Sequence, residues 1–382
     1  MGTINNPARG EEFRDDLRPL SSAPTTTPRA GTGNAAARRV LSQAELAPLT
    51  ELNNWRSLLA VASTSGVIAL AIVFGVMVWP SPWLILSVLV VGVQQHALFI
   101  LAHESAHYRL LRSRAANDVV GRAIGMAGAI SMCTYRVIHR LHHNNLYTAE
   151  DLDTAIHGGY PRGVAYLWKK LAQDLAGLNA WKTFAYFFGA PAINDDTDRA
   201  ARPLDDTSPA LRASARNDRL AVLAFQLVAP LVAFMLGGSQ VLAQYLVLWV
   251  LPMLTVLQPI LRLRAIAEHG AVTDFSSALT AARCNRTTGS PGNVFGRALL
   301  FPHHVNYHLE HHLYPAVPHY HLPELHRILE GKGVLAHAEV RNFADTMHIV
   351  FAPRSPRPAA NAAPASSSPI PSGAKGGWRS RD

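Results

Sequence analysis

Apolar residues in this chain come in long blocks, not in the scattered pattern of a water-soluble core. Ser57 to Trp79 carries no charged side chain, and after Pro80, Ser81 and Pro82 a second uncharged block runs from Trp83 to Ala102. A further pair, Leu220 to Leu236 and Val241 to Leu261, is divided by Gly237, Gly238, Ser239 and Gln240. Each block is about 20 residues, enough for a helix to cross a hydrocarbon layer about 30 Å thick. The pattern predicts an all-α integral membrane protein with four transmembrane helices in two hairpins. Shorter elements flank them. Ser42 and Glu45 have capping-box spacing ahead of an apolar stretch. Val119 to Met132 is apolar apart from Arg122 but too short to span. Tyr160 to Phe188 mixes Lys169, Lys170 and Lys182 with Trp168, Trp181 and Tyr186, a composition suited to a helix on the membrane surface.

Charge gives the orientation, because short loops rich in Lys and Arg stay on the cytoplasmic side. The two hairpin turns contain neither. Arg38, Arg39 and Arg56 precede the first block, Arg109, Arg112 and Arg114 follow the second, Arg216 and Arg219 precede the third, and Arg262 and Arg264 follow the fourth. Both termini are therefore expected on the cytoplasmic face. Orientation and attraction to anionic headgroups account for much of the net charge of +9, which argues against a nucleic-acid partner. Cys133 and Cys284 are the only cysteines, too few for a disulfide framework, and free thiols are expected. Residues 1 to 40 are polar and lack an apolar signal core, so disorder is expected there and the first span must act as the insertion signal. From 353 to 382 Pro, Ala, Ser and Gly dominate, and a disordered tail is expected. Residues 41 to 352 remain as the membrane domain.

The candidate chemistry lies in the histidines. Fifteen of the 18 fall between His96 and His157 or between His269 and His321. Three arrays stand among them: His103 and His107; His139, His142 and His143; and His308, His311 and His312. Helical residues three and four apart share a face, so each array aims its imidazoles at one region. All three follow the cytoplasmic ends of predicted spans, and His269 adds a ninth ring. One zinc needs only four ligands, so this number suggests two metal ions in a cytoplasmic helical di-metal cap. Imidazole suits Fe, Zn, Cu and Ni alike. Glu104, Asp151, Asp153, Glu268 and Glu310 are placed to accept the second N–H of ligating rings. His96 reads as a histidine bonded to a neighbouring helix. His303, His304, His319, His321 and His326 read mainly as surface or supporting groups, and His157, His337 and His348 carry no pattern. Arg283, Arg286 and Thr287 suit solvated residues as well as contacts to a headgroup or an electron donor.

In order and spacing, His103-Glu-Ser-Ala-His107, His139-Arg-Leu-His142-His143 and His308-Leu-Glu-His311-His312 resemble the three histidine boxes of the membrane fatty acid desaturase family. The flank from Asn306 to Pro315 resembles the third box with its surroundings. The resemblance implies that the box histidines hold two iron ions that activate O2, with His269 in Glu268-His269 completing one site. It also implies a double bond made in a fatty acyl chain of a lipid or carrier-bound acyl substrate. Electrons would come from a separate ferredoxin or cytochrome with its reductase. The residues themselves suit oxidation of an alkyl chain, since no side-chain acid or base removes hydrogen from an unactivated methylene and a cofactor must supply that chemistry. The same boxes admit a lipid or carotenoid hydroxylase or ketolase. Two readings of another class also stand: a membrane-embedded zinc protease, because His103 to His107 satisfies HExxH, and a metal-binding or transport protein.

Overall fold

A computed structural model describes residues 40–148, 151, 153–189, 204, 207–288 and 291–353. The expected disordered segments, 1 to 40 and 353 to 382, lie almost wholly outside these residues. The described part is mostly helical. Helix α1 (Gln43–Thr50) starts at the expected capping box, with Ser42 accepting from the Glu45 N–H and the Glu45 carboxylate accepting from the Ser42 N–H at 2.8 Å. Asn53 caps α2 (Asn54–Met77), and a turn through Pro80 and Pro82 leads into α3 (Leu84–Ala106), which packs along α2. The outer face of α2 leaves Leu59, Leu70, Val73 and Met77 exposed, whereas α3 is buried almost continuously from Gln95 onward.

Helices α4 (Arg114–Ala127) and α5 (Met132–Asn144) follow, then α6 (Val164–Leu175) and α7 (Ala180–Phe187). Trp168 on α6 and Trp181 on α7 are exposed, while Leu167 and Leu171 are buried, so α6 is amphipathic as expected. Next comes α8 (Pro209–Tyr245), continued through a π-helical turn at Leu246–Val250 and a short turn at Leu251–Leu254 into α9 (Leu257–His269). Among the described residues, three helical segments are long and apolar enough to cross a membrane: Asn54–Met77, Leu84–Ala106 and the composite Pro209–His269.

The composite segment is broken at the predicted turn. Gly237 and Gly238 have φ/ψ of −165°/31° and 62°/−152°, outside the helical region, and the second pair is open only to glycine. Gln226 donates to the Met126 carbonyl at 2.6 Å and Trp249 to the Ala127 carbonyl at 3.3 Å, both at the end of α4. A straight helix would hold Gln226 and Trp249 about 35 Å apart. The chain therefore turns back at Gly237–Gly238.

After a single helical turn at Ala278–Ala281 come four longer helices: α10 (Pro291–Leu300), α11 (His308–Leu313), α12 (Leu322–Gly331) and α13 (Phe343–Val350). One feature departs from the all-α expectation. Strands β1 (Cys284–Arg286) and β2 (Val340–Asn342) pair in parallel, with Cys284 opposite Val340. Three-residue strands leave almost no periodic trace in sequence, and parallel pairing needs the long crossover supplied here by α10 to α12. The pair anchors the third histidine array, because the Asn285 N–H donates to the Asn306 carbonyl at 2.9 Å and the Asn306 amide donates to the Asn285 carbonyl at 3.1 Å, just ahead of His308.

Candidate metal centre

The arrays sit at helix ends for local reasons. His103 lies in the last turn of α3 and His107 is its C-cap, beyond which Tyr108 takes a left-handed φ of 56° and stops the helix. His139, His142 and His143 occupy the last turns of α5. At the other end of α5, Ser131 and the Cys133 N–H donate to the buried Asp218 carboxylate of α8 at 2.8 and 3.0 Å, placing a negative charge at the positive end of the helix. His269 is the last residue of α9. Three helix C-termini, each carrying partial negative charge, thus converge on one region suited to cations.

All nine expected residues meet there in two adjoining groups. His103, His107, His139, His143 and His311 form one, and His142, His269, His308 and His312 the other, with potential ligand nitrogens inside each group no more than 4.8 Å apart. In the first, His139 Nε2 lies 2.8 Å from His107 Nε2 and 3.0 Å from His143 Nε2, and His143 lies 3.1 Å from His311. In the second, His269 Nε2 is 3.2 Å from His142 and 2.8 Å from His308, and His308 is 3.1 Å from His312. The groups touch where His143 and His312 stack with ring centroids 4.1 Å apart.

Burial, reinforced by neighbouring rings, holds His139, His143, His308, His311 and His312 well below the ordinary imidazole range, and burial with Arg109 brings His107 to about 3. Neutral rings with free lone pairs are the form that binds metals. His142 is the exception: burial pulls it down, but Asp151 and Asp153 outweigh that and raise it to about 9. Its Nδ1 donates to Asp151 at 2.9 Å, while His269 Nδ1 donates to the Ala281 carbonyl at 3.0 Å. With both Nδ1 atoms engaged, the two Nε2 atoms face each other across 3.2 Å. A single proton could reconcile that pair but not the four converging nitrogens of the group; a metal ion fits all four.

The expected supporting carboxylates divide. Burial alone would raise Asp151, but the His142 ring holds it below the usual carboxylate range. Asp153 is 3.6 Å from His142, Glu104 3.6 Å from His103, and Glu268 3.6 Å from His308. Glu310 turns away from the boxes and bonds His326 beside Cys284. Glu104, the general base of the protease reading, accepts the His319 N–H at 2.9 Å, so that its carboxylate is already engaged. Arg283 corrects the solvated reading: it is 1 % exposed, donating to Glu339 at 3.2 Å and to the Ala267 carbonyl at 3.1 Å. His96 is wholly buried against the Leu299 backbone.

His157 is the residue that the histidine pattern missed. It is buried at the end of a four-residue helix, within 4.8 Å of ligand atoms of His142 and Asp151, and its ring lies 4.8 Å from that of His269. No spacing rule reaches it. The one available signal was its place six residues after Asp151.

A mostly helical fold, with helices apolar and long enough to cross a membrane, encloses two buried histidine clusters compatible with metal binding. The chain belongs to the fatty acid desaturase family, whose sequence model matches residues 77–341. A relative is the dihydrorhizobitoxine desaturase of Bradyrhizobium elkanii, 27% identical over 247 residues, which are 61% of this chain and 64% of that protein. The chain thus spans less than two thirds of that relative's length.

Proposed function

We propose that this protein is an O2-dependent di-iron desaturase that introduces a double bond into the acyl chain of a membrane lipid or carrier-bound substrate. The observation carrying the reading is the convergence of nine imidazoles into adjoining groups of five and four within a desaturase-family chain. His103, His107, His139, His143 and His311 would hold one iron, and His142, His269, His308 and His312 the other. Iron bound there would supply an oxidant, derived from O2, strong enough to take hydrogen from a methylene. Two substrate hydrogens, two electrons from a separate ferredoxin or cytochrome and two protons would balance reduction of one O2 to two waters.

The chain's own groups hold and orient. Asp151 and the Ala281 carbonyl fix the His142 and His269 rings through their Nδ1 atoms, which leaves Nε2 directed inward. Burial of the cluster excludes bulk water from a reactive centre. The turn at Gly237–Gly238 supports a four-span arrangement in two hairpins, with both termini and the histidine clusters on the cytoplasmic side, where the arginine-rich flanks lie.

Expression in a bacterial host, followed by mass spectrometry of lipids and pigments, tests the reading. Loss of two hydrogens from an acyl chain, absent in a His311→Ala control, is the expected result. A gained oxygen would make the protein a hydroxylase or ketolase, and no oxidised product with iron-loaded protein and an active donor would refute the assignment.

A further inference from the structure

Beside the first turns of α2 lies a cavity of about 460 Å³ lined by Arg297, Phe301, His303, His304, His319 and Tyr320 among others. Small-molecule pockets span about 300–1,000 Å³. This one has an apolar wall, with Val294, Ala298 and Pro302 joining Phe301, and none of its lining residues is acidic.

Its polar side is built, not incidental. His303 and His304 take consecutive left-handed φ values of 53° and 60°, a strain that persists where the surroundings fix it and that gathers at ligand clamps. His303 is fixed through Nε2, 3.1 Å from Thr64 Oγ1 on α2. His319 is 6 % exposed, and its ring nitrogens meet no partner beyond a loose contact with the His303 backbone. Arg297 has no carboxylate within ion-pair distance among the described residues. The groups repel one another's positive charge: burial and then His304 bring His303 to about 4, and burial and then Arg297 lower His304. A guanidinium and three imidazoles thus face a space with no anion among its walls.

The cavity adjoins the metal centre on one side and the end of α2 on the other. The His319 N–H donates to Glu104, whose other oxygen is 3.6 Å from His103 Nδ1. On the outer side the Tyr320 hydroxyl accepts the Asn53 N–H at 2.6 Å, just before the exposed Trp55. An aromatic residue there suits the headgroup level of a bilayer.

We propose that this cavity binds the anionic head, carboxylate or phosphate, of the amphiphile on which the enzyme acts. The inference rests on the lipid-oxidation reading above. Arg297 supplies the charge and His303, His304 and His319 the hydrogen bonds, while the alkyl tail has to run from there toward the metal centre. The length of that path from head to His103 would set which methylenes are oxidised, counted from the head.

The test uses the full-length protein in a neutral sugar-headed detergent, titrated calorimetrically with decanoate, decyl phosphate and decanol, with metal content measured in each preparation. The two anions are expected to bind, and decanol to bind about tenfold more weakly or worse, as the loss of a charged hydrogen bond implies. Arg297→Gln should lower affinity for the anions about tenfold, with decanol binding and metal content unchanged, and Arg297→Lys should restore part of the loss. Equal binding of decanol and decanoate, or undiminished anion binding by Arg297→Gln, overturns the proposal. Nanodiscs with and without phosphatidylglycerol separate the sources: competition with decanoate identifies a lipid phosphate, and undiminished decanoate binding identifies a carboxylic acid. Binding is read without turnover. A protein that binds decanoate yet oxidises no lipid refutes the desaturase reading alone, whereas turnover without selective anion binding refutes the pocket alone.

Discussion

Arg264 and Glu268 stand one turn apart on α9, with the Arg264 Nε 2.9 Å from both Glu268 carboxylate oxygens. Glu268 is 1 % exposed, precedes His269 and lies 3.6 Å from His308. The pair therefore neutralises a carboxylate buried against the four-histidine group.

Breaking that pair should be costly. Arg264→Gln strands a buried charge, a change worth about 3–5 kcal/mol, and should release the His308 ring. Thermal unfolding and metal content would both fall. A variant as stable and as metal-rich as the parent would show that Glu268 needs no partner.

The two histidine groups can be addressed one at a time. His142→Ala takes a nitrogen from the group of four and His311→Ala one from the group of five. Each should lower bound metal and abolish product formation, measured by elemental analysis beside lipid mass spectrometry. Full activity in both variants would remove the metal centre from the mechanism.

Both cysteines are free and buried. Burial and then Asp218 lift the Cys133 thiol to about 11, and burial and then Glu310 lift Cys284 well above the ordinary thiol value. A raised thiol stays protonated, and so unreactive, until the pH nears its own value. Iodoacetamide at pH about 8 should therefore spare both in the native protein and label both after denaturation. Labelling of Cys133 should rise as the pH approaches 11. Rapid native labelling at the lower pH would contradict this packing.

Gly121 on α4 lets that helix reach the first histidine box. A Cβ there would fall 1.9 Å from Ser105 Oγ, which donates to the Asn117 carbonyl at 3.1 Å, between His103 and His107 in sequence. Gly121→Ala should cost about 1–3 kcal/mol through overpacking and weaken metal retention by shifting the end of α3. Unchanged melting and metal content would place the slack elsewhere.

Much of the centre was legible in the chain because helical spacing is a local property. His139 and His143, or His308 and His312, are one turn apart in any α-helix, and uncharged blocks show where helices can be long and apolar. Arg283, Glu310 and His157 were misread or left open for the opposite reason. Their surroundings are made by residues distant in sequence: Glu339 and Ala267 for Arg283, His326 for Glu310, and His269 with His142 for His157.

By itself the order of residues determined which imidazoles could act together on one helix, and that nine of them follow apolar segments. Tertiary structure decided how they were shared. The second box sends His139 and His143 to one group and His142 to the other, while the third box sends His308 and His312 to the group of His142 and His311 to that of His139. Adjacent helical residues diverge by about 100°, so a box cannot direct every ring to a single point. Which direction meets which neighbour depends on how α3, α5, α9 and α11 dock, and that is fixed by contacts such as Asp218 on α5 and Asn285 on the end of α9, far apart in the chain.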